Sequence, residues 1–273
     1  MRTQENYGAV GGSQQAAAVT YFGFLSFFPV LALAVFAVGL VARVWPDAQA
    51  GLADAINQVV PGLVGSGEGQ VSLSDVQRFS GWAGLVGLLG VLYAGLGWIS
   101  ALRTALQVVF DVPAAERPGW LRGKLNDLVA LIGVGAVLFV SVVGAGLVTG
   151  WTDDVLGWLG LGQGASWAVS LIALVIAWVV DVVLFFALFR LVGRPAVPGR
   201  SLWQAAMLGG VGFEILKALS FLVLGSVRGS PAFQAFGVAV VLLVWMNYFM
   251  QVVLYGASWA QTSPAARKAE AGA

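Results

Sequence analysis

The sequence predicts an all-α, polytopic membrane protein with six transmembrane helices, and three observations support this fold class. Only 10% of the 273 residues are charged and 59% are hydrophobic, whereas soluble domains carry about 25% charged residues. Six apolar runs are long enough to cross a bilayer, which takes about 20 helical residues. The basic residues fall mostly on one side of a six-span arrangement, as the positive-inside rule predicts.

The six predicted spans follow one another along the chain and are joined by short polar connections. They cover residues 16–44, 81–110, 125–150, 165–192, 202–224 and 233–260. Together they form a single domain over residues 1–262. The remaining residues, 263–273, are rich in alanine and charge, and this composition predicts a disordered cytoplasmic tail.

The first outer connection contains a helical pattern of its own. Its apolar residues recur at helical spacing opposite polar ones: Leu52, Ile56, Val59, Val60 and Leu63 against Asp54, Asn57 and Gln58. This periodicity predicts a short amphipathic helix. Such a helix lies on the outer face of the membrane or caps the helix bundle, and the pattern does not choose between the two.

The distribution of lysine and arginine predicts the orientation in the membrane. Ten of these residues fall on one side: Arg2, Arg103, Arg117, Arg122, Lys124, Arg190, Arg194, Arg200, Arg267 and Lys268. Three fall on the other: Arg43, Arg78 and Arg228. Because cytoplasmic connections carry the excess of basic residues, both termini are predicted to lie in the cytoplasm.

Six of the predicted cytoplasmic cations lie where anionic lipid head groups are found. They are Arg117, Arg122, Lys124, Arg190, Arg194 and Arg200. We therefore expect membrane lipids, anionic ones included, as partners. The sequence leaves open whether the chain forms a homo-oligomer.

The chain contains no cysteine and no histidine. It therefore lacks disulfides, thiol nucleophiles, imidazole bases and the usual protein ligands of zinc, haem and copper. We expect no cofactor and no metal. The formal net charge of +1 does not favour a nucleic-acid partner.

Pro29 interrupts the hydrogen bonding of the first predicted span. It has no N–H, so the carbonyl of Leu25 loses its helical partner and a kink is expected there. Tyr21 and Ser26, together with Thr20, are close enough along the chain to satisfy the freed carbonyl. A kink of this kind acts as a hinge or a binding pocket, or it merely shapes the bundle. The sequence favours neither interpretation.

Three charged residues lie deep inside the predicted spans. Glu214 and Lys217 stand one turn apart near the middle of the fifth span, and Asp181 lies deep in the fourth. A charge at the bilayer centre costs about 2.5–3.5 kcal/mol, so such residues are expected to face the bundle or a water-filled cavity. Glu214 and Lys217 neutralise each other, either as a structural pair or as part of a functional site.

Asp181 gives this set one surplus negative charge. Either Asp181 takes up a proton, or Lys217 is shared, or Arg103 reaches inward from the cytoplasmic end of the second span. A buried acid that exchanges a proton is what a proton-coupled transporter needs. Glu214, Lys217, Asp181 and Arg103 are therefore the candidates for a substrate or ion pathway.

Three stretches of the chain carry a family resemblance: AAAVTYFGFLSFFPVL, FEILKALSF and FGVAVVLLVWMNYFMQVVLYGASWAQ. In order and spacing they resemble the YihY/BrkB family of bacterial inner-membrane proteins. The resemblance covers Glu214, Lys217, Tyr21, Ser26 and Pro29. It implies six helices in the inner membrane with both termini in the cytoplasm. It also implies a role in the cell envelope, linked to virulence and to the handling of lipid.

Proteins of that family have also been labelled ribonuclease BN, but the residues do not favour a nuclease. A metal-dependent nuclease needs clustered carboxylates or histidines that hold two ions about 3.5–4 Å apart. Histidine is absent, and the adjacent acids Asp153 and Asp154 are predicted on the outer face. We therefore expect the chain not to be an enzyme.

Three function classes remain, of which the third, a membrane-embedded hydrolase, is the least favoured because histidine and any recognisable nucleophile–base pair are absent. In the first, the chain is a transporter or lipid translocase, with Glu214, Lys217 and Asp181 lining an internal polar site and the kink in span 1 as the moving part. In the second, it is a non-catalytic membrane scaffold or envelope assembly factor in which the same charges only hold helices together. A hydrated cavity open sideways between helices would favour a lipid substrate, and a dry, packed bundle would favour the scaffold.

Overall fold

The computed structural model describes residues 2–41, 82–137, 166–227 and 231–271. In these ranges the chain is helical and contains no β-strand, which confirms the predicted all-α class. The helices are α1 (Arg2–Ala9), α2 (Gly12–Val41), α3 (Trp82–Val109), α4 (described over 120–137), α5 (Ser166–Ala187), α6 (Gly199–Val227), α7 (Pro231–Thr262) and α8 (Pro264–Ala271). A π-helical turn, Leu188–Gly193, extends α5.

Two stretches of the described residues are long and apolar enough to cross a membrane by length and composition. Leu174–Gly193 has a mean hydropathy of 2.5 and Ala239–Lys268 one of 1.7. They fall in the fourth and sixth predicted spans. The other four predicted spans overlap α2, α3, α4 and α6, and that these helices cross a membrane stays a prediction. The amphipathic helix predicted over 52–63 lies outside the described residues.

Helix α7 is the centre of the described bundle. It packs against α1, α2, α3 and α6. The pairs α2–α3 and α5–α6 also pack along each other, and the π-helical turn of α5 packs on α3. Helix α4 lies beside α3, to which it is joined by a salt bridge between Asp127 and Arg103.

Both terminal segments meet at one end of the bundle, which we call the terminal end. The hydroxyl oxygens of Thr3 and Thr262 are 3.1 Å apart. Asn6 Nδ2 donates a hydrogen bond of 3.0 Å to Ser258 Oγ, which in turn donates one of 2.9 Å to the Thr3 carbonyl. These bonds hold α1 against the last turns of α7.

The helix ends that carry the predicted cytoplasmic cations lie at the same end. Ser201, in the first turn of α6, has its hydroxyl oxygen 2.8 Å from that of Ser263, which follows α7. Phe189 in the π-helical turn packs edge to face on Phe110, which follows α3, with ring centroids 6.3 Å apart. Termini and basic connections therefore share one end of the described bundle, and their location in the cytoplasm stays a prediction.

The prediction of a disordered tail is wrong over Pro264–Ala271, which forms α8. Ser263 caps this helix, because its Oγ accepts a hydrogen bond of 3.2 Å from the backbone N–H of Ala266. Pro264 occupies the first helical position, where its missing N–H costs nothing. Ala266 is 2% exposed, so this short helix also packs on the bundle. A local Ser-Pro start signal thus outweighs the disorder-like composition.

The described core is aliphatic and aromatic, and it fixes how closely α5 and α6 approach. Phe185 is fully buried and its ring packs on those of Phe189, Phe213 and Phe249, with centroids 6.1, 6.2 and 5.8 Å apart. Gly209 of α6 lies directly against the Phe185 ring, where any Cβ would collide with it. A small residue at this point lets the two helix backbones come close, as is typical of packing in lipid.

Candidate functional site

The charged residues of the fourth and fifth predicted spans meet between α5 and α6. Lys217 Nζ lies 2.9 Å from Asp181 Oδ2 and 2.9 Å from Glu214 Oε1. Lys217 therefore donates a charge-assisted hydrogen bond to each carboxylate. We call Asp181, Glu214 and Lys217 the Lys217 cluster. The structure shows the sharing of Lys217, which is one of the three ways to balance Asp181 that the sequence left open.

Helix geometry and close packing produce this arrangement. Glu214 and Lys217 are three residues apart on α6, so their side chains lie on one face. Asp181 lies one turn before Phe185 on α5, and Phe185 packs against Gly209. The next residue, Gly210, faces Val182 and Trp178 of α5. The two glycines therefore bring α5 close enough for the short Asp181 side chain to reach Lys217.

The Lys217 cluster is only partly enclosed by the described residues. The exposed fraction of the side chain is 8% for Asp181 and 23% for both Glu214 and Lys217. The ammonium also lies 5.0 Å from the centre of the Phe213 ring, within the range of a cation–π contact. With all three groups ionised the cluster carries one net negative charge, since two carboxylates share one ammonium.

The cluster lies far from the ends of its helices. At about 1.5 Å per residue, Asp181 is roughly 18 Å from Gly193 at the terminal end of α5. Glu214 is roughly 22 Å from Gly199, where α6 begins, on the same scale. These distances place the cluster near mid-membrane if α5 and α6 span it as predicted.

Trp178 carries a buried polar group that faces Gly210 of α6. It lies one turn before Asp181 on α5, and its Nε1 is buried without a hydrogen-bond partner among the described residues. A buried donor normally finds a partner in the protein or in ordered water. Trp178 Nε1–H is therefore the donor nearest to Asp181 along α5 that is left for a water molecule or a substrate group.

Arg103 does not join the Lys217 cluster. Its guanidinium donates from Nε to Asp127 Oδ1 over 2.6 Å and from one terminal nitrogen to Asp127 Oδ2 over 3.3 Å. The Asp127 side chain is 0% exposed and that of Arg103 is 14% exposed. The prediction that Arg103 reaches inward to balance Asp181 is therefore wrong. Asp127 was not among the predicted site residues, although an acid inside the predicted span 125–150 is the same signal that singled out Asp181.

The hydroxyls near Pro29 do not satisfy the carbonyl that the proline frees. Ser26 Oγ lies 2.6 Å from the carbonyl of Phe22 and 2.7 Å from that of Ala94 on α3. Thr20 donates to Ala16, one turn back on α2, and Tyr21 is 60% exposed. Ser26 therefore joins α2 to α3. Helix α2 continues past Pro29 to Val41, and a kink or hinge there stays a prediction.

The six predicted head-group cations lie at the terminal end of the bundle and differ in their surroundings. Five of them are exposed: Arg117, Arg122, Arg190, Arg194 and Arg200. Lys124 is half-buried and donates to Ser100 Oγ over 3.4 Å. Contact of these cations with lipid stays a prediction. In the parts of the chain that the structure describes, no group of three or more acids is arranged to hold a metal ion.

An apolar all-helical chain with ionised groups held between helices is typical of helical membrane proteins. The chain belongs to the BrkB family: the family described as "Virulence factor BrkB" matches it over residues 3–273. This match confirms the resemblance seen in the three motifs. The protein is therefore a membrane protein of this family.

Two relatives with curated names show how far this similarity extends. The inner membrane protein YhjD of Escherichia coli (strain K12) is 30% identical over 278 residues, which cover 96% of this chain and 80% of that protein. An uncharacterised protein of Dickeya dadantii is 31% identical over 265 residues, which cover 92% of this chain and 79% of that protein. No solved structure matches the chain.

Proposed function

We propose that the chain is a multi-pass transporter or lipid translocase of the bacterial inner membrane, and that the Lys217 cluster forms the polar part of its substrate path. One observation carries this proposal: two carboxylates deep between α5 and α6 share a single ammonium. A structural pair needs one acid for one base. The second acid is surplus, and a surplus acid at this depth is able to bind and release a proton or a cation.

The surroundings of the cluster support the same function. Glu214 and Lys217 keep 23% of their side-chain surface exposed, so a small rearrangement suffices to reach them. The unpartnered N–H of Trp178 stands one turn from Asp181 and becomes satisfied when water or a substrate enters between the helices. In this proposal Asp181 or Glu214 takes up the proton, and Lys217 keeps its charge-assisted hydrogen bond to the carboxylate that stays ionised.

The proposed topology has six spans with both termini in the cytoplasm. The bonds from Thr3 and Asn6 to the end of α7 support termini on one side of the membrane. Most basic residues lie on that side, which favours the cytoplasm. The name of the Escherichia coli relative supports the inner membrane as the location. The proposal assigns no catalytic reaction to the chain.

A second candidate function is a non-catalytic membrane scaffold. It is favoured by the bonding within the cluster, because Lys217 connects α5 to α6 through two salt bridges and also contacts Phe213. In this role the three charges only fasten neighbouring helices. The two candidates differ in whether neutralising one acid removes a transport activity while the fold remains intact.

The test is an assay in proteoliposomes that contain the purified chain. One arm follows a fluorescent phospholipid with a membrane-impermeant quencher, and a second arm follows an enclosed pH-sensitive dye. Wild type is compared with Glu214→Gln, Lys217→Met and the double variant, each checked by thermal unfolding. Glu116→Gln is the matched control, since Glu116 is exposed and far from the cluster.

We expect movement of lipid or protons with wild type and with Glu116→Gln. We expect that movement to be lost in Glu214→Gln although this variant unfolds at the normal temperature. The scaffold would replace the transporter as the proposed function under two conditions. Wild type is inert in both arms, and Lys217→Met lowers the unfolding temperature while the double variant partly restores it.

A further inference from the structure

A groove of about 710 Å³ runs between α2 and α3, which is within the roughly 300–1,000 Å³ typical of ligand pockets. It is polar at the terminal end, where Gln15, Ser100, Thr104 and Lys124 line it. Further along, its walls are apolar or aromatic. We call it the α2–α3 groove, and none of its lining residues belongs to the Lys217 cluster.

The polar end of the groove carries one uncompensated positive charge. Arg103 is neutralised by Asp127, with which it forms a two-pronged salt bridge. Lys124 is half-buried, and no acid of the described ranges forms a salt bridge with it; its partner there is the neutral hydroxyl of Ser100. One ammonium without a carboxylate partner among the described residues therefore faces the polar end of the groove.

Ser100 completes a site for an anion. Its Oγ accepts from Lys124 Nζ over 3.4 Å and from the Arg103 guanidinium over 3.3 Å. A hydroxyl that accepts two hydrogen bonds keeps its one hydrogen for donation. Ser100 and Lys124 thus present two donors, one of them charged, to an incoming oxyanion.

The rest of the groove has the length and character of an acyl-chain site. From Gln15 to Ser26 the α2 wall is roughly 16 Å long at about 1.5 Å per residue. Phe22 and Leu25 stand on this wall with exposed fractions of 44% and 52%, and Tyr93 of α3 is 84% exposed. At the far end, Ser26 bonds to Ala94 and so joins the two walls. The groove therefore changes from charged to apolar along its axis.

We propose that the α2–α3 groove binds one anionic glycerophospholipid, with its phosphate on Lys124 and Ser100 and an acyl chain along Phe22 and Leu25. The charges are complementary, since one surplus ammonium meets a head group with one net negative charge. A zwitterionic head group is disfavoured, because it brings an ammonium of its own next to Lys124 and Arg103. A free phosphate leaves the apolar length of the groove empty. This proposal does not depend on transport by the Lys217 cluster.

The experiment measures thermal unfolding of the full chain in a neutral detergent. Phosphatidylglycerol, phosphatidylcholine with the same acyl chains, and inorganic phosphate are each added over a range of concentrations. Lys124→Met removes the surplus charge, and Lys268→Met is its control, because Lys268 is an exposed lysine of α8 that does not line the groove.

Gly97→Leu tests the apolar part of the groove. Gly97 lines the groove, and a Cβ built on it meets nothing within 4 Å, so a larger side chain fits there and occupies the lipid's place. Gly90→Leu is the control, since Gly90 lies two turns away on α3, has equally open space and does not line the groove.

We expect phosphatidylglycerol to raise the melting temperature of wild type, Lys268→Met and Gly90→Leu, and the other two additives to have little effect. Lys124→Met is expected to need about tenfold more phosphatidylglycerol for the same rise, which corresponds to one charge-assisted hydrogen bond. Gly97→Leu is expected to lose the response. Equal protection by phosphatidylcholine or by inorganic phosphate overturns the proposal, and so does an equal loss in Lys124→Met and Lys268→Met. If Gly97→Leu fails to fold, the comparison of Lys124→Met with Lys268→Met decides alone.

Discussion

Two groups of three charged residues lie in different parts of this bundle, and they differ in sign, depth and pairing. The Lys217 cluster combines two acids with one base far from the helix ends. The second group, which we call the Arg103 cluster, combines Arg103, Lys124 and the fully buried Asp127 at the terminal end. In the first the surplus charge is negative, and in the second it is positive.

The comparison distinguishes charges that hold helices together from the surplus charge that each group retains. In the Arg103 cluster the holding pair is well defined, because Arg103 and Asp127 satisfy each other with two hydrogen bonds. In the Lys217 cluster no single pair can be named, because Lys217 bonds equally to Asp181 and Glu214. Arg103 thus gives both of its carboxylate contacts to one acid, whereas Lys217 divides its contacts between two acids.

The largest effect is expected for Asp127→Ala. The variant leaves the Arg103 guanidinium largely buried with no carboxylate and only the neutral hydroxyl of Ser100 as a partner. Arginine cannot release its proton to escape the cost. Removal of one member of a buried pair costs about 3–5 kcal/mol in the free energy of unfolding. Equilibrium unfolding in mixed micelles measures this loss. Glu116→Ala is the control, because Glu116 is an exposed acid in the connection that precedes α4. Equal stability of the two variants would contradict the assignment of Asp127 as the partner that holds Arg103.

Lys217→Met is expected to have the next largest effect. It leaves two carboxylates side by side without a cation, at a cost of about 2 kcal/mol in the free energy of unfolding. Adding Asp181→Asn or Glu214→Gln to this variant is expected to restore part of the loss, because one of the two like charges is then gone. The same unfolding assay tests this, and a double variant less stable than Lys217→Met would rule out a shared ammonium.

Glu214→Gln is expected to change the free energy of unfolding by about 1 kcal/mol or less. Lys217 keeps its bond to Asp181, and the cluster becomes neutral. The contrast with Asp127→Ala is the most direct test of the difference between the two groups. A loss as large as that of Asp127→Ala would mean that Glu214 is a holding partner and not a surplus acid.

Lys124→Met is expected to have the smallest effect on stability, within about 0.5 kcal/mol in lipid-free detergent. Its hydrogen bond to Ser100 is long, and Ser100 keeps the bond from Arg103. Thermal unfolding without added lipid measures the change. A large loss would place Lys124 among the residues that hold the helices.

The sequence predicts the side-chain contacts that local spacing sets, and it does not predict those that long-range packing sets. The pairing of Glu214 with Lys217 follows from a spacing of three residues on one helix, and the sequence predicts it. The third member, Asp181, depends on the contact of Gly209 and Gly210 with α5, which no local pattern reveals. The partner of Arg103 is likewise set by packing, because Asp127 lies on another helix, α4. The sequence therefore offered three ways to balance the charge of Asp181 and could not choose among them.

The tail and the first span show two further limits of prediction. Composition suggested disorder after residue 262, although the Ser-Pro start of α8 was readable as a helix cap. In the first span, the sequence predicts that hydroxyls near Pro29 satisfy the carbonyl of Leu25. The neighbouring Ser26 instead bonds to Ala94 on another helix. The helix start at Ser263 is a local signal that the composition concealed, whereas the partner of Ser26 is set by the packing of α2 on α3.

The bonds between α1 and the end of α7 have a consequence for biosynthesis. Asn6 donates to Ser258, a residue 252 positions later in the chain. At roughly 5–20 residues per second, the ribosome adds Ser258 on the order of 10–50 s after Asn6. Helix α1 therefore gains these bonds only after α7 has been synthesised, and the terminal end of the bundle closes no earlier than that.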